Sequence, residues 1–263
     1  MARTFLALTL AAPLLLVAPS AGAQSDPAPT AAPAPPTPVE AARGAERKLD
    51  SWMTADARTA LAPVVAQAGS NVDVAIALGR LLEQEKKYAE SAEVLQKAVA
   101  LAPADPRPSH WLGETLLRAR KTAEADAAFR KAAELATKAA EARPADAGAF
   151  LAKGAALSRL RRYDEAMTAL AKARELDGGS AATLYQMGST LAFQQKWSDA
   201  VDLLTQTLAK DPGVALAYYY RGLAQEKLGR KDQMVLDLDR FVKIAATAPE
   251  AERAKALLAA ASR

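Results

Sequence analysis

The chain has 263 residues, with 34 Lys and Arg against 30 Asp and Glu, a formal charge of +4, 51% hydrophobic residues and 5% aromatic ones. It has no cysteine, which excludes disulfides, thiolate nucleophiles, Cys-ligated metals and an acylated-cysteine lipid anchor. Acidic and basic residues are interleaved rather than blocked, which argues against a nucleic-acid surface, and no segment alternates apolar and polar residues in the manner of a strand.

In chain order, residues 1–23 have a short positive end at Arg3, an apolar run from Phe5 to Val17 and a small-x-small site at Ala21-Gly22-Ala23. This is the layout of a cleaved export signal, with Pro13 and Pro19 opposing a lasting membrane helix; an uncleaved anchor stays open as the alternative. Cleavage before Gln24 would leave a protein without stable membrane insertion, in the periplasm or outside the cell. Residues 24–38 hold six of the 15 prolines and read as an extended spacer that could reach some 40 Å. Residues 39–70 read as a helical N-terminal cap or a degenerate repeat. One helix there carries Leu49, Trp52 and Met53, with Trp52 as a core residue of the cap. A second is expected over 55–68, with Leu61, Val64 and Val65 inward and Pro63 at a bend.

From Val72 the chain repeats. Gly79, Gly113, Gly154, Gly188 and Gly222 mark equivalent points, at intervals of 34, 41, 34 and 34 residues. The cleanest copy, 181–214, carries Leu184, Gly188, Leu191, then Trp197, Ala200, Leu204 and Pro212. The others are 72–105, 106–146, 147–180 and 215–248, and the last helix, 249–263, is expected to cover the apolar end of the stack. The long interval falls in the second helix of 106–146, which continues as Glu134 to Pro144. Seven extra residues rotate a helix by about 700°, only ~20° short of two turns, so the helix can lengthen without turning its apolar face away.

The spacing of Leu, Gly, Ala, a large apolar residue and Pro resembles the tetratricopeptide-repeat family over residues 72–248. The resemblance implies an all-α fold, a right-handed α-solenoid of about five helix pairs with capping helices at both ends. It also implies a non-catalytic scaffold or adaptor that binds a protein or peptide segment in a concave groove, with no cofactor and no nucleic acid. The groove positions carried over from the family are Arg80, Arg107, His110, Glu114, Arg118, Leu151, Arg159, Tyr185, Ser189, Phe193, Tyr219 and Lys227, with Glu83, Gln84 and Glu226 beside them. Aromatics and arginine carry most of the energy in interfaces, so Tyr185, Phe193 and Tyr219 are expected as anchors, with Arg118 and Arg159 steering an acidic stretch. Asn71, the one asparagine, lies outside these positions, which argues against the carboxylate clamp of chaperone-binding repeats.

Catalytic patterns are missing. His110 is the only histidine, and neither a paired-histidine metal motif nor a glycine-rich phosphate loop occurs. The export signal and the family together point to a scaffold of a bacterial cell envelope. Two alternatives remain: an assembly component acting through its convex face or by stacking, and a glycan- or peptidoglycan-associated protein.

Overall fold

The computed structural model describes residues 35–262. The expected signal segment, 1–23, and residues 24–34 of the spacer lie outside the described residues. Among the described residues there are thirteen α-helices and no strand, an all-α solenoid of helix pairs. Six pairs follow one another: α1 (Pro38–Asp50) and α2 (Thr54–Leu61), α3 (Val72–Gln84) and α4 (Tyr88–Leu101), α5 (Pro106–Arg118) and α6 (Thr122–Ala142), α7 (Ala147–Arg159) and α8 (Tyr163–Asp177), α9 (Ala181–Phe193) and α10 (Trp197–Lys210), α11 (Ala215–Lys227) and α12 (Lys231–Ile244). A last helix, α13 (Ala251–Ala261), packs on α12. No helix among the described residues is long and apolar enough to cross a membrane.

Pair geometry follows from one close approach. A Cβ added to Gly79, Gly113, Gly154, Gly188 or Gly222 would fall 2.5–2.7 Å from Leu95, Phe129, Leu170, Leu204 or Leu238 respectively. Each of those large residues belongs to the second helix of the same pair and is fully or almost fully buried. The glycine is therefore a socket for a side chain sixteen residues on. The small residue between them (Ser91, Ala125, Ala166 or Ala200) lets the two backbones approach. In the first such pair the approach is also hydrogen-bonded: Ser91 Oγ donates to Gly79 O at 2.8 Å.

The turns are equally regular. First helices other than α11 start on side-chain caps, with Thr37, Asn71, Asp105, Asp146 and Ser180 each accepting from backbone N–H groups in the first turn. They stop at a residue of positive φ: Trp52, Lys86, Arg120, Arg161, Gln195 and Gly229. The next residue's N–H then bonds back across the turn, as in Lys87 N to Leu82 O and Met53 N to Lys48 O. These positions recur at 34, 34, 41, 34 and 34 residues, so α1/α2 stands in register with the five later pairs. The helix expected over 55–68 is broken, since α2 ends at Leu61, before Ala62-Pro63, and a 3-10 turn follows over Val65–Gly69. Proline has no N–H to continue the ladder, and Val65 is left exposed while Val64 is buried. The long α6 is one continuous helix of 21 residues.

Each first helix packs on the second helix of its own pair and of the pair before it, and neighbouring first helices also touch. The odd-numbered helices thus line the inside of a curve, and the curve closes. The turn after α1 meets the far end of the stack, where Trp52 Nε1 donates to Thr247 Oγ1 at 3.2 Å. Trp52 packs in the cluster of Tyr219, Phe241 and Ala251, not in the core of its own helix pair as its sequence position suggests. A tight turn with positive φ at Trp52 throws this side chain outward across the gap, away from Leu49. Ser51 is equally close to the loop between α10 and α11, since a Cβ on Gly213 would lie 3.7 Å from Ser51 Cβ.

Candidate functional site

The inner face is built from side chains that successive odd helices direct into the curve, and arginine dominates its first half. Arg80 on α3 donates to Asp50 of α1 at 2.5 Å, with Glu46 at 3.6 Å, and its guanidinium lies 4.0 Å from the Trp111 ring centre. Arg118 on α5 reaches Glu83 of α3 at 2.9 Å. Arg159 on α7 grips Glu114 of α5 with two hydrogen bonds, of 2.5 and 2.8 Å. The result is a ladder that ties α3 to α1, α5 to α3 and α7 to α5 by buried or half-buried ion pairs.

Burial sets the electrostatics. It works against the Glu114 carboxylate, but Arg159, with Arg118 behind it, overcomes it and holds the group below the usual carboxylate range. Burial likewise opposes the Arg159 charge, and Glu114 more than restores it, so Arg159 is a fixed cation. Glu83 goes the other way: burial raises it, Glu114 adds to the rise, and Arg118 offsets only part. His110 lies 3.7 Å from Glu114, too far for a hydrogen bond, and its Nδ1 is buried without a partner. Burial, with Arg159 and Arg80 nearby, pushes the imidazole pKa down, and it sits neutral between Trp111 and Phe129.

The second half is aromatic. Arg159 ends the ladder against the Phe193 ring at 5.6 Å, and Phe193 meets Tyr220 edge-on at 5.4 Å. Tyr185 lies 6.4 Å from Tyr220. The cluster of half-buried aromatics is therefore Tyr185, Phe193 and Tyr220. Tyr219, aligned by the repeat with Tyr185, is 5% exposed and stacks 5.1 Å from Phe241 in the C-terminal core. Burial raises its hydroxyl pKa to about 12.

The remaining expected positions divide. Leu151 packs into the core around Leu184 and Leu204. Ser189 is buried and donates back to Gln186 O at 3.2 Å. Arg107 stands at the start of α5, exposed and paired with Asp105 and Asp73. Lys227 is exposed beside Glu226 at 3.1 Å. Gln84 donates to Leu49 O at 2.8 Å and so joins α3 to α1.

Two features are not written in the repeat. Glu250, just before α13, crosses the inner face and takes a hydrogen bond from Arg118 Nη1 at 2.7 Å. On the outer face, a hollow of about 470 Å³ opens between the extended end of α6 and the turn from α7 into α8. Glu134, Lys138, Glu141, Lys153, Leu157 and Arg162 are among its lining residues. Among the described residues no group of three or more His, Asp or Glu is placed to hold a metal ion.

Family models described as tetratricopeptide repeat match residues 54–106 and 185–249, and a second such model matches 147–179. Together they take in more than half of the sequence, and the chain belongs to the tetratricopeptide-repeat family. No curated protein sequence matches it. Among solved structures, a thermophilic tetratricopeptide-repeat protein of Thermus thermophilus, TTC0263, aligns with a TM-score of 0.56 at 19% identity, over 73% of this chain and 99% of that one. The human IFIT1 dimer with PPP-AAAA aligns with a TM-score of 0.52 at 15% identity, over 72% of this chain and 45% of that chain. At these identities the likeness concerns the fold alone.

Proposed function

We propose that this chain is a non-catalytic interaction module of a bacterial cell envelope, exported by its N-terminal segment, that takes a segment of a partner protein on its inner face. Proteins of the family generally serve as scaffolds for protein or peptide partners. The envelope assignment rests on the sequence layout of residues 1–23. The observation that carries the site is the half-buried aromatic cluster of Tyr185, Phe193 and Tyr220 at the end of an arginine ladder. Such rings give large contact area at low entropic cost, and the guanidinium at Arg118 is the one in the ladder with an acid drawn from beyond it.

The test is affinity capture from an envelope extract of the source cells, with the chain from Gln24 as bait. A triple variant, Tyr185→Ala, Phe193→Ala and Tyr220→Ala, serves as control, with helicity checked by circular dichroism. A partner held by the wild type and lost by the variant supports the reading. Equal capture by both would end it. A second reading, contact through the outer face, is favoured by the hollow beside α6; there the partner would survive the triple variant and be lost with Lys138→Glu and Lys153→Glu.

A further inference from the structure

The inner face is not empty. The corner between α12 and α13, Ala245 to Glu250, has Ala245 and Ala248 in the core of the helices it joins, but two of its side chains, Thr247 and Glu250, reach across to distant elements. Glu250 Oε1 accepts from Arg118 Nη1 at 2.7 Å, across 132 residues of sequence. Thr247 accepts from Trp52 at 3.2 Å, across 195. Ala248 is buried and the residues around it are small. The corner's backbone is bonded into its own helices, Ala245 N to Phe241 O, Ala248 N to Ala245 O, Ala251 N to Ala248 O and Ala254 N to Glu250 O, so the exchangeable part is its side chains.

The fit is also incomplete. Glu250 Oε2 is buried with no hydrogen-bond partner. A buried carboxylate oxygen without a donor costs stability, a cost that Glu85 Oε2 and Glu226 Oε2 also carry, so it lowers the cost of releasing Glu250 without by itself marking the contact as exchangeable. Arg118 differs in the same way from its neighbours. Arg80 and Arg159 are paired wholly with the odd helix before them, whereas Arg118 divides its fork between Glu83 of the ladder and Glu250 of the corner.

We infer that Ala245–Glu250 is an occupant in cis of the peptide site on the inner face, and that a partner segment of the same chemistry displaces it. That chemistry is a hydroxyl for Trp52 and a carboxylate for Arg118, three residues apart. The inference rests on the reading of the inner face as a docking site and adds its regulation: the free chain holds its own site closed. Tethering gives the corner an effective concentration in the millimolar range, so only a partner with more contacts, or a chain whose latch is loosened, opens it.

The experiment is fluorescence anisotropy with a labelled synthetic peptide of residues 245–258, titrated with the full chain, the Glu250→Lys variant, the milder Glu250→Gln variant and the Glu250→Lys/Arg118→Ala double variant. Circular dichroism establishes that each is folded, and the glutamine variant stands in if the lysine variant is not. The unlatched chain is expected to bind the peptide at least about 10-fold more tightly than the wild type, and the Arg118→Ala change is expected to take that gain away. Equal binding by wild type and unlatched chain, or no binding by either, overturns the inference, as does a gain that survives loss of Arg118. An unlatched chain that takes the peptide but captures no envelope partner keeps the latch and ends the functional reading.

Discussion

The closure of the curve makes a prediction that a single covalent bond can test. Gly213 precedes α11, and a Cβ built on it lies 3.7 Å from Ser51 Cβ in the turn after α1. Disulfides have a mean Cβ–Cβ separation of about 3.8 Å, so Ser51→Cys/Gly213→Cys places two thiols at bonding distance. Gly213 does not use a left-handed φ; a Cβ there would meet Ser51 Oγ at 2.5 Å, the atom that the bonded sulfur replaces, and Asp211 Oδ1 at 3.0 Å, which must give way by a few tenths of an ångström. Nothing competes, because the chain has no cysteine of its own. The bridge would close a loop of about 160 residues, for which the chain-entropy limit is about 5 kcal/mol, and strain will reduce it. Under air oxidation the pair should form an intramolecular bond, read by loss of free thiol and by mass. The oxidised protein should melt above the reduced one. Two ends free in solution would sit well beyond the roughly 7 Å that a disulfide spans. Free thiols that persist, or bonds only between molecules, would refute the closed curve and with it every argument built on Trp52 and Glu250.

Three further outcomes follow from the packing. Glu114→Ala leaves the Arg159 charge half-buried and unpaired, at a cost of about 3–5 kcal/mol in chemical denaturation; adding Arg159→Leu should recover about 2 kcal/mol or more, and strict additivity would show that the pair is incidental. Gly188→Ala gains about 1 kcal/mol of helix propensity but drives a Cβ to 2.7 Å from Leu204 Cγ, which costs about 1–3 kcal/mol; on a Leu204→Ala background the clash disappears, so the two changes should couple by about 1–2 kcal/mol. His110 is neutral and its pKa is depressed in the folded chain, so the unfolded chain binds the extra proton first. Stability should fall as pH drops below about 6.5, by up to ~1.4 kcal/mol per unit until the native pKa is reached, and His110→Gln should remove that slope. An unchanged slope in the variant would place the titration elsewhere, since this is the only histidine.

What the sequence shows well is what one helix pair decides by itself. Gly188 and Leu204 are sixteen residues apart and their meeting depends on nothing else, so their spacing is readable five times over. The first pair is harder to see because Ala45, fully buried, stands where the glycine would be, and the register survives in buried Ala57 and Leu61, twelve and sixteen residues on, and in the positive φ of Trp52. The break of α2 at Pro63 is underwritten by proline chemistry, yet the inward side chains on either side of it mask how far the helix runs. What the sequence hides is what all the pairs decide together. Curvature of a solenoid is the sum of small rotations at each interface. No local pattern carries that sum, and it alone brings Glu250 to Arg118. The same holds for Tyr219 and Tyr220. Repeat alignment assigns Tyr219 to the groove, but at the last pair the C-terminal helix covers that position and leaves Tyr220 to meet Phe193.

Residue type was therefore a poor guide to which arginine is free to act. Arg80, Arg118 and Arg159 share a face, a charge and a repeat position within a turn of one another. Two of them are consumed by the scaffold: Arg159 would be stranded without Glu114, and both acids of Arg80, Asp50 and Glu46, belong to the one helix α1. Arg118 alone keeps one ladder contact while exchanging the other, because Glu83 stays to satisfy it when Glu250 leaves. An exchangeable site in a buried setting needs that arrangement, a permanent counter-ion to hold the charge and a second position that can change hands. Its location, at the middle of the inner face and beside the segment that crosses it, is why the fold's closure and its capacity to bind are one problem rather than two.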